Sequence, residues 1–250
     1  MSAADTLLVL DFDGVICDSV AECFASSWEA RFRLRGGTGP VPEPPAGGLA
    51  AFALLRPFVR NGEDFLVILE AADRGAAIRD QAAFDALAAE IGQPGLREFK
   101  SRFYEARERF LAEEHERWLR MNRVYPHART ALLAAANGGV PLRILSTKRP
   151  PYILEILGAE RVPFAREHVH HTTGPKVPVV RELLAASGCA KAVFVDDQLD
   201  YLRGLDDPRI EGRLASWGYV RPEWLLPPLG ARPIDPQELL ALVSRLGGRP

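Results

Sequence analysis

Four short apolar runs mark the chain: LLVLD at 7–11, PLRILS at 141–146, AVFVDD at 192–197 and RLASWGY at 213–219. The first and third are almost continuously apolar. Strands covered on both faces look like this, and such strands belong to parallel sheets. Amphipathic stretches separate the later runs. PPYILEILGA (150–159) and KVPVVRELLAASG (176–188) both suit helices, the second with Pro178 in its first turn and Gly188 as its C-cap. The alternation of strand and helix predicts an α/β fold with a doubly wound parallel sheet, whose ligands bind at the carboxyl ends of the strands.

The middle of the chain follows a different period. Val20, Phe24, Trp28 and Phe32 recur four apart, on one helical stripe. RGGTGPVPEPPAGG (35–48) is too rich in Gly and Pro for a helix or a central strand and reads as a mobile surface loop. Residues 49–90 read as helical. Between 96 and 121, Leu96, Phe99, Phe103, Ala106 and Phe110 recur at three and four residues with charges between them. Roughly 100 residues therefore separate the first strand from the second, far more than a βαβ crossover needs. The expectation is a helical cap domain over 19–123, inserted into an α/β core domain formed by 1–18 and 124–250.

The strand ends carry the chemistry. Asp11 closes the first run and Asp13 follows two residues later, a spacing that in extended chain projects both to one side. Gly14 then permits a tight turn. Asp196 and Asp197 end the third run at the same sheet edge, with Asp200 shortly after. Carboxylates crowded together raise each other's proton affinity, and a hard cation such as Mg²⁺, which prefers oxygen ligands, relieves the repulsion. The second run ends in Ser146 and Thr147, with Lys148 behind them, and Lys176 stands in TTGPK before a helix. Acids with a metal, a hydroxyl and a fixed lysine make a phosphoryl-transfer site. Each residue has a plainer reading. A pair of aspartates suits a turn after a strand, Ser146 a cap, and Lys148 the surface, with a second lysine of the site as its alternative. Lys176 is different, because a cation at a helix N-terminus is unfavourable unless something negative faces it. His168 and His170 in HVHH share a strand face without a suitably spaced third ligand, which favours an edge strand. Cys17 reads as a small buried hydrophobe.

Composition narrows the class further. The formal net charge of −2 and a pI of about 6.2 exclude the basic face of a nucleic-acid binder. Three cysteines without CxxC spacing (Cys17, Cys23, Cys189) indicate a reducing compartment, and no apolar run is long enough to span a membrane. The expectation is a cytoplasmic protein.

The ordered set DFDGV, ILS, GPK and FVDD, with a helical insertion after the first, closely resembles the haloacid dehalogenase-like (HAD) hydrolase superfamily. The resemblance covers about 5–18 and 124–220, and reaches the insertion by position only. It implies a Rossmann-like core with Asp11 as nucleophile and metal ligand. Asp13 would be general acid and base, its backbone carbonyl on Mg²⁺. Ser146 would bond the phosphoryl group and Lys176 would hold the nucleophile. Asp197, with Asp196, would complete the Mg²⁺ site. Many members carry a further acid four residues after the metal-binding aspartate. Here Tyr201 takes that place and Asp200 lies one earlier, so the resemblance leaves the choice among Asp196, Asp197 and Asp200 open. The implied activity is a Mg²⁺-dependent phosphatase acting on a small phosphorylated metabolite through an aspartyl-phosphate. A phosphomutase on the same core, or a catalytically silent phosphate-binding or regulatory protein, are the alternatives. Dehalogenases of the family lack the second aspartate that Asp13 supplies. Cleavage of a P–C bond would need a Schiff-base lysine in the insertion, whose single lysine is Lys100. Arg56, Arg60 and Glu63 are candidates for gripping a substrate from the insertion.

Overall fold

A computed structural model describes residues 5–226 and 231–247. By internal contacts the chain divides into two compact units, one formed by residues up to Asp18 and from Arg123 onward, the other by Ser19–Asn122. In chain order the first unit opens with β1 (Thr6–Leu10) and β2 (Cys17–Asp18). The second unit follows, with α1 (Val20–Leu34), α2 (Gly48–Leu55), α3 (Phe65–Arg74), α4 (Gln81–Glu113) and α5 (His115–Met121). The first unit resumes with β3 (Arg123–Val124), α6 (Pro126–Gly138), β4 (Leu142–Ser146), α7 (Pro150–Ala159) and β5 (Val169–His171). It ends with α8 (Lys176–Ser187), β6 (Lys191–Asp196), α9 (Leu199–Leu202), β7 (Ile210–Ala215), β8 (Arg232–Ile234) and α10 (Pro236–Leu246).

Six strands of the first unit form one parallel sheet in the order β5-β4-β1-β6-β7-β8. From β1 the chain builds outward through β4 and β5, then crosses to β6 on the other flank. The order therefore reverses around β1, and a crevice opens at the carboxyl ends of the strands there. Leu7, Leu8, Val9 and Leu10 are completely buried, which accounts for their unbroken apolar run. Leu7 and Val9 share one apolar cluster with Val180 and Leu184 of α8 and Phe194 of β6. Each such side chain contributes about 1.5–3 kcal/mol by leaving water. β2 and β3 pair antiparallel as a small separate ribbon where the chain leaves and re-enters the unit.

Two expectations for the sheet need correction. The fourth apolar run does not end at Tyr219. β7 stops at Ala215, and residues 216–219 turn instead, with the Gly218 amide donating to the Ala215 carbonyl. β8 was not expected at all. It is three residues long, lies at the edge and contains Pro233, so it carries no strand signature. HVHH does form an edge strand, β5.

The helical unit also differs from its periodicity. Residues 49–90 are not one helical run. Pro57 and Gly62 sit in two 3-10 turns, and Gly75 closes α3 in the left-handed conformation. α4 breaks at Gly92 (φ 80°, ψ 153°). The stripe Val20–Phe24–Trp28–Phe32 borders the unit's interior, and the most deeply buried face of α1 carries Glu22, Ser26 and Ala30. The reason is a buried ion pair. Arg107 of α4 donates from Nε and Nη2 to the two Glu22 oxygens at 2.8 Å each, and Ser26 Oγ donates to Glu22 Oε1 at 2.8 Å. The guanidinium lies 4.4 Å from the Phe103 ring centroid. This pair ties α1 to α4 at the price of desolvating two charges.

Removing one partner leaves the other buried and unmatched. Arg107→Met is expected to lose about 3–5 kcal/mol in urea unfolding, while Glu22→Gln combined with Arg107→Met loses at most half as much. Equal losses would show that packing of the Arg107 stem, and not charge compensation, is what holds α1 to α4.

Candidate active site

Asp11 continues β1 by one residue, its amide donating to the Val195 carbonyl of β6 at 2.9 Å. The chain then turns sharply, because the Phe12 carbonyl accepts from the amides of both Ile16 and Cys17 at 2.8 Å. Gly14 takes the left-handed conformation within this turn (φ 86°). Asp11 and Asp13 stand on either side of the start of this turn. The two carboxylates go to different partners.

Asp11, Asp196 and Asp197, all buried, bring one carboxylate oxygen each within 4.8 Å of one another. Lys176, at the start of α8, is 1% exposed and sits 2.9 Å from Asp11 Oδ1 and 2.8 Å from Asp196 Oδ2. Burial opposes its charge, yet Asp11 and Asp196 hold the ammonium well above the ordinary lysine range. The Tyr201 ring centroid lies 4.5 Å from Nζ and covers the ammonium with an aromatic face. Asp196 also accepts the Gln198 amide at 2.8 Å. Burial first, and then the Asp11 charge, push the Asp196 carboxyl up to about 7 against the pull of Lys176.

Asp197 is held by backbone. Its Oδ2 accepts the Tyr219 amide at 2.7 Å. A Cβ on Gly14 would stand 1.9 Å from that oxygen, and one on Gly218 would stand 2.4 Å from the Asp197 Cβ. Two glycines therefore let the backbone close in on this carboxylate. The turn after β7 is braced as well: Trp217 Nε1 donates to the Val15 carbonyl at 3.1 Å and Tyr219 Oη donates to Asp18 Oδ1 at 3.0 Å. Sequence reasoning missed Trp217 and Tyr219 in this role, having placed them in a strand.

Asp13 meets Lys148, whose Nζ is 3.1 Å from Asp13 Oδ1. Lys148 is 2% exposed, contrary to its reading as a surface residue. Ser146 ends β4, is buried, and accepts the Lys148 amide on Oγ at 3.2 Å. That short turn folds the lysine inward. The signal available in the sequence was the excess of strand-end acids over the single lysine assigned to them.

Other candidates lie elsewhere. Asp200, on α9, pairs with Arg203 at 2.7 Å and is absent from the three-carboxylate group. Within the helical unit, Arg60 pairs with Asp85 at 2.8 Å, Glu63 with Lys100 at 2.9 Å, and Arg56 lies 5.5 Å from the Phe65 ring centroid. His168 and His170 join no metal-ligating group among the described residues. Burial, then Arg143, hold both below the ordinary histidine range.

The donor set fits a hard divalent ion. All three ligands offer oxygen, and octahedral Mg²⁺ at about 2.1 Å needs ligand oxygens about 3.0–4.2 Å apart. Asp11 Oδ1 is buried, and although Lys176 is near, it lies out of line for a hydrogen bond, so this oxygen has no donor.

No family model matches the chain, and no curated protein matches it in sequence. Solved structures do. A haloacid dehalogenase-like family hydrolase from Streptococcus pneumoniae aligns over 95% of this chain and 98% of its own, with TM-score 0.59 and 16% identity. A predicted phosphoglycolate phosphatase from Haemophilus somnus aligns over 97% and 99%, with TM-score 0.61 and 15% identity. A HAD family hydrolase from Deinococcus radiodurans, with bound phosphate and sodium, aligns over 99% and 98%, with TM-score 0.56 and 18% identity. The sheet and its insertion thus define an α/β protein of the doubly wound class. More narrowly, its fold is that of the haloacid dehalogenase-like hydrolases.

Gly14→Ala is expected to cost at least about 2 kcal/mol, because it adds left-handed strain to a collision with Asp197. Gly204 has a similar φ (79°) but open space around it, so Gly204→Ala is expected to cost at most about 1 kcal/mol. Thermal unfolding of the two variants checks the difference, and equal shifts would remove the close approach as the cause.

Proposed function

We propose that this chain is a Mg²⁺-dependent phosphatase that hydrolyses a small phosphate monoester through an aspartyl-phosphate. The observation that carries the reading is Asp11: a buried carboxylate at the end of a central strand, with Lys176 beside it and one oxygen left without a donor. The fold it shares with hydrolases, one of which holds phosphate and sodium, adds support.

Asp11 attacks phosphorus, forming a P–O bond as the ester P–O bond breaks. The proton of Asp13 ends on the departing alcohol oxygen. Asp13, now a carboxylate, takes a proton from the water that attacks the aspartyl-phosphate, releasing phosphate and restoring Asp11. Lys176 fixes the nucleophile and meets the phosphoryl charge, and the Ser146 hydroxyl bonds a phosphoryl oxygen. Asp11, Asp196 and Asp197 would hold Mg²⁺, with the Asp13 carbonyl as a further oxygen. When bound, the ion withdraws charge from the phosphoryl oxygens and relieves the crowding of the acids. In this reading Asp196 is also the partner of Lys176. The helical unit is the cap that selects the substrate, which its insertion immediately after the Asp11 strand supports. A cytoplasmic location belongs to the same reading and rests on three cysteines present as thiols.

A panel of phosphorylated metabolites assayed for phosphate release with Mg²⁺ and with EDTA tests this. Release that needs the metal, and that falls at least about a thousandfold in Asp11→Asn, is expected. An isomerised product without phosphate would assign a mutase instead. An Asp11→Asn protein with unchanged biological function would assign a silent binder.

A further inference from the structure

We propose that Lys148 is a positioning residue that orients the Asp13 carboxyl for protonating the leaving group, an inference that rests on the phosphatase reading above. Three observations carry it. The Lys148 ammonium is 2% exposed and 3.1 Å from Asp13 Oδ1, so water does not compete for the contact. The lysine is anchored at its base, where its amide donates to Ser146 Oγ at 3.2 Å, and its Nζ lies 5.8 Å from the Phe12 ring centroid. Asp13, finally, stands outside the group formed by Asp11, Asp196 and Asp197. Lys148 approaches from the β4 side, whereas those acids belong to β1 and β6.

The chemistry of the two groups gives the contact a direction. An ammonium has donors and no acceptor. Placed on Oδ1, it fixes the rotation of the carboxyl. In the first half-reaction the phosphorus–ester oxygen bond breaks, the bond from phosphorus to Asp11 forms, and the proton of Asp13 moves to the departing oxygen. Lys148 gains and loses nothing. It holds the carboxyl in one orientation.

A lysine that acts through the general acid can be told from one that binds phosphate or supports the fold. Protonation of the leaving oxygen matters for a poor leaving group and hardly at all for a good one. Phenyl phosphate and 2,4-dinitrophenyl phosphate share an aromatic body and differ in that respect. In Lys148→Met, kcat/KM for phenyl phosphate is expected to fall about a hundredfold, and that for 2,4-dinitrophenyl phosphate less than about fivefold. Asp13→Asn should show the same selectivity, and the double variant should lose no more than Asp13→Asn alone. The ratio of the two substrates is independent of how much protein is folded, so partial misfolding does not blur the result. Lys148→Arg, which keeps the charge, should recover part of the phenyl phosphate rate. Equal losses on both esters, with the wild type active, would overturn the role of Lys148 and leave the phosphatase reading standing. A wild type that turns over neither these esters nor any metabolite of the panel would overturn both.

Discussion

Everything at the carboxyl edge of the sheet follows from electrostatic repulsion held in check. Four carboxylates, Asp11, Asp13, Asp196 and Asp197, gather there against two buried ammonium groups, Lys148 and Lys176. Burial, and after it the charge of Asp11, raises Asp196 to about 7 even with Lys176 beside it. An apolar strand such as β1 is therefore a requirement of the site and not a coincidence. Only a wholly buried element fixes Asp11 rigidly enough to keep like charges in contact.

The order of the strands distributes these charges. β1 lies between β4 and β6. The β6 flank contributes Asp196 and Asp197, and α8, which packs on the same apolar cluster, contributes Lys176. The β4 flank contributes Ser146 and Lys148. Asp11 meets Lys176 of the first group and Asp13 meets Lys148 of the second. Two carboxylates two residues apart thus face different ammonium groups.

The parts of this arrangement that were legible in sequence are those carried by uninterrupted local patterns. The run Leu7–Leu10 announces a buried strand because four consecutive apolar residues have no other comfortable place. Asp11, Asp196 and Asp197 are legible because each directly follows such a run. Lys176 could be read because a cation at a helix start needs an anion nearby. What escaped depends on turns. Trp217 and Tyr219 were read as strand because nothing local reveals that the strand ends at Ala215. Lys148 looked like surface because its burial depends on Asp13, more than a hundred residues away in the chain. In the helical unit the apolar stripe was real, yet Glu22 and Ser26 took the deeper face. A partner at Arg107 makes a buried charge tolerable, and no period in α1 records that partner.

The helical unit shows why substrate identity stays hidden longer than the chemistry. The charges that looked free to grip a ligand are engaged within the unit: Arg60 pairs with Asp85, Glu63 pairs with Lys100, and Arg56 lies over the Phe65 ring. A charge that stabilises its own fold can bind substrate only by giving up that partner, and partly exposed pairs of this kind are worth about 1 kcal/mol or less. The exchange is therefore inexpensive, and the same arginine can serve either purpose. The acids of the strand ends have no such freedom. Asp197 is wedged between Gly14 and Gly218, and Asp11 is continuous with a strand that cannot shift without unpacking the sheet. Chemistry in this protein is written in backbone, where sequence patterns register it. The ion pairs of the helical unit rest on side chains whose partners are exchangeable, where those patterns do not register them.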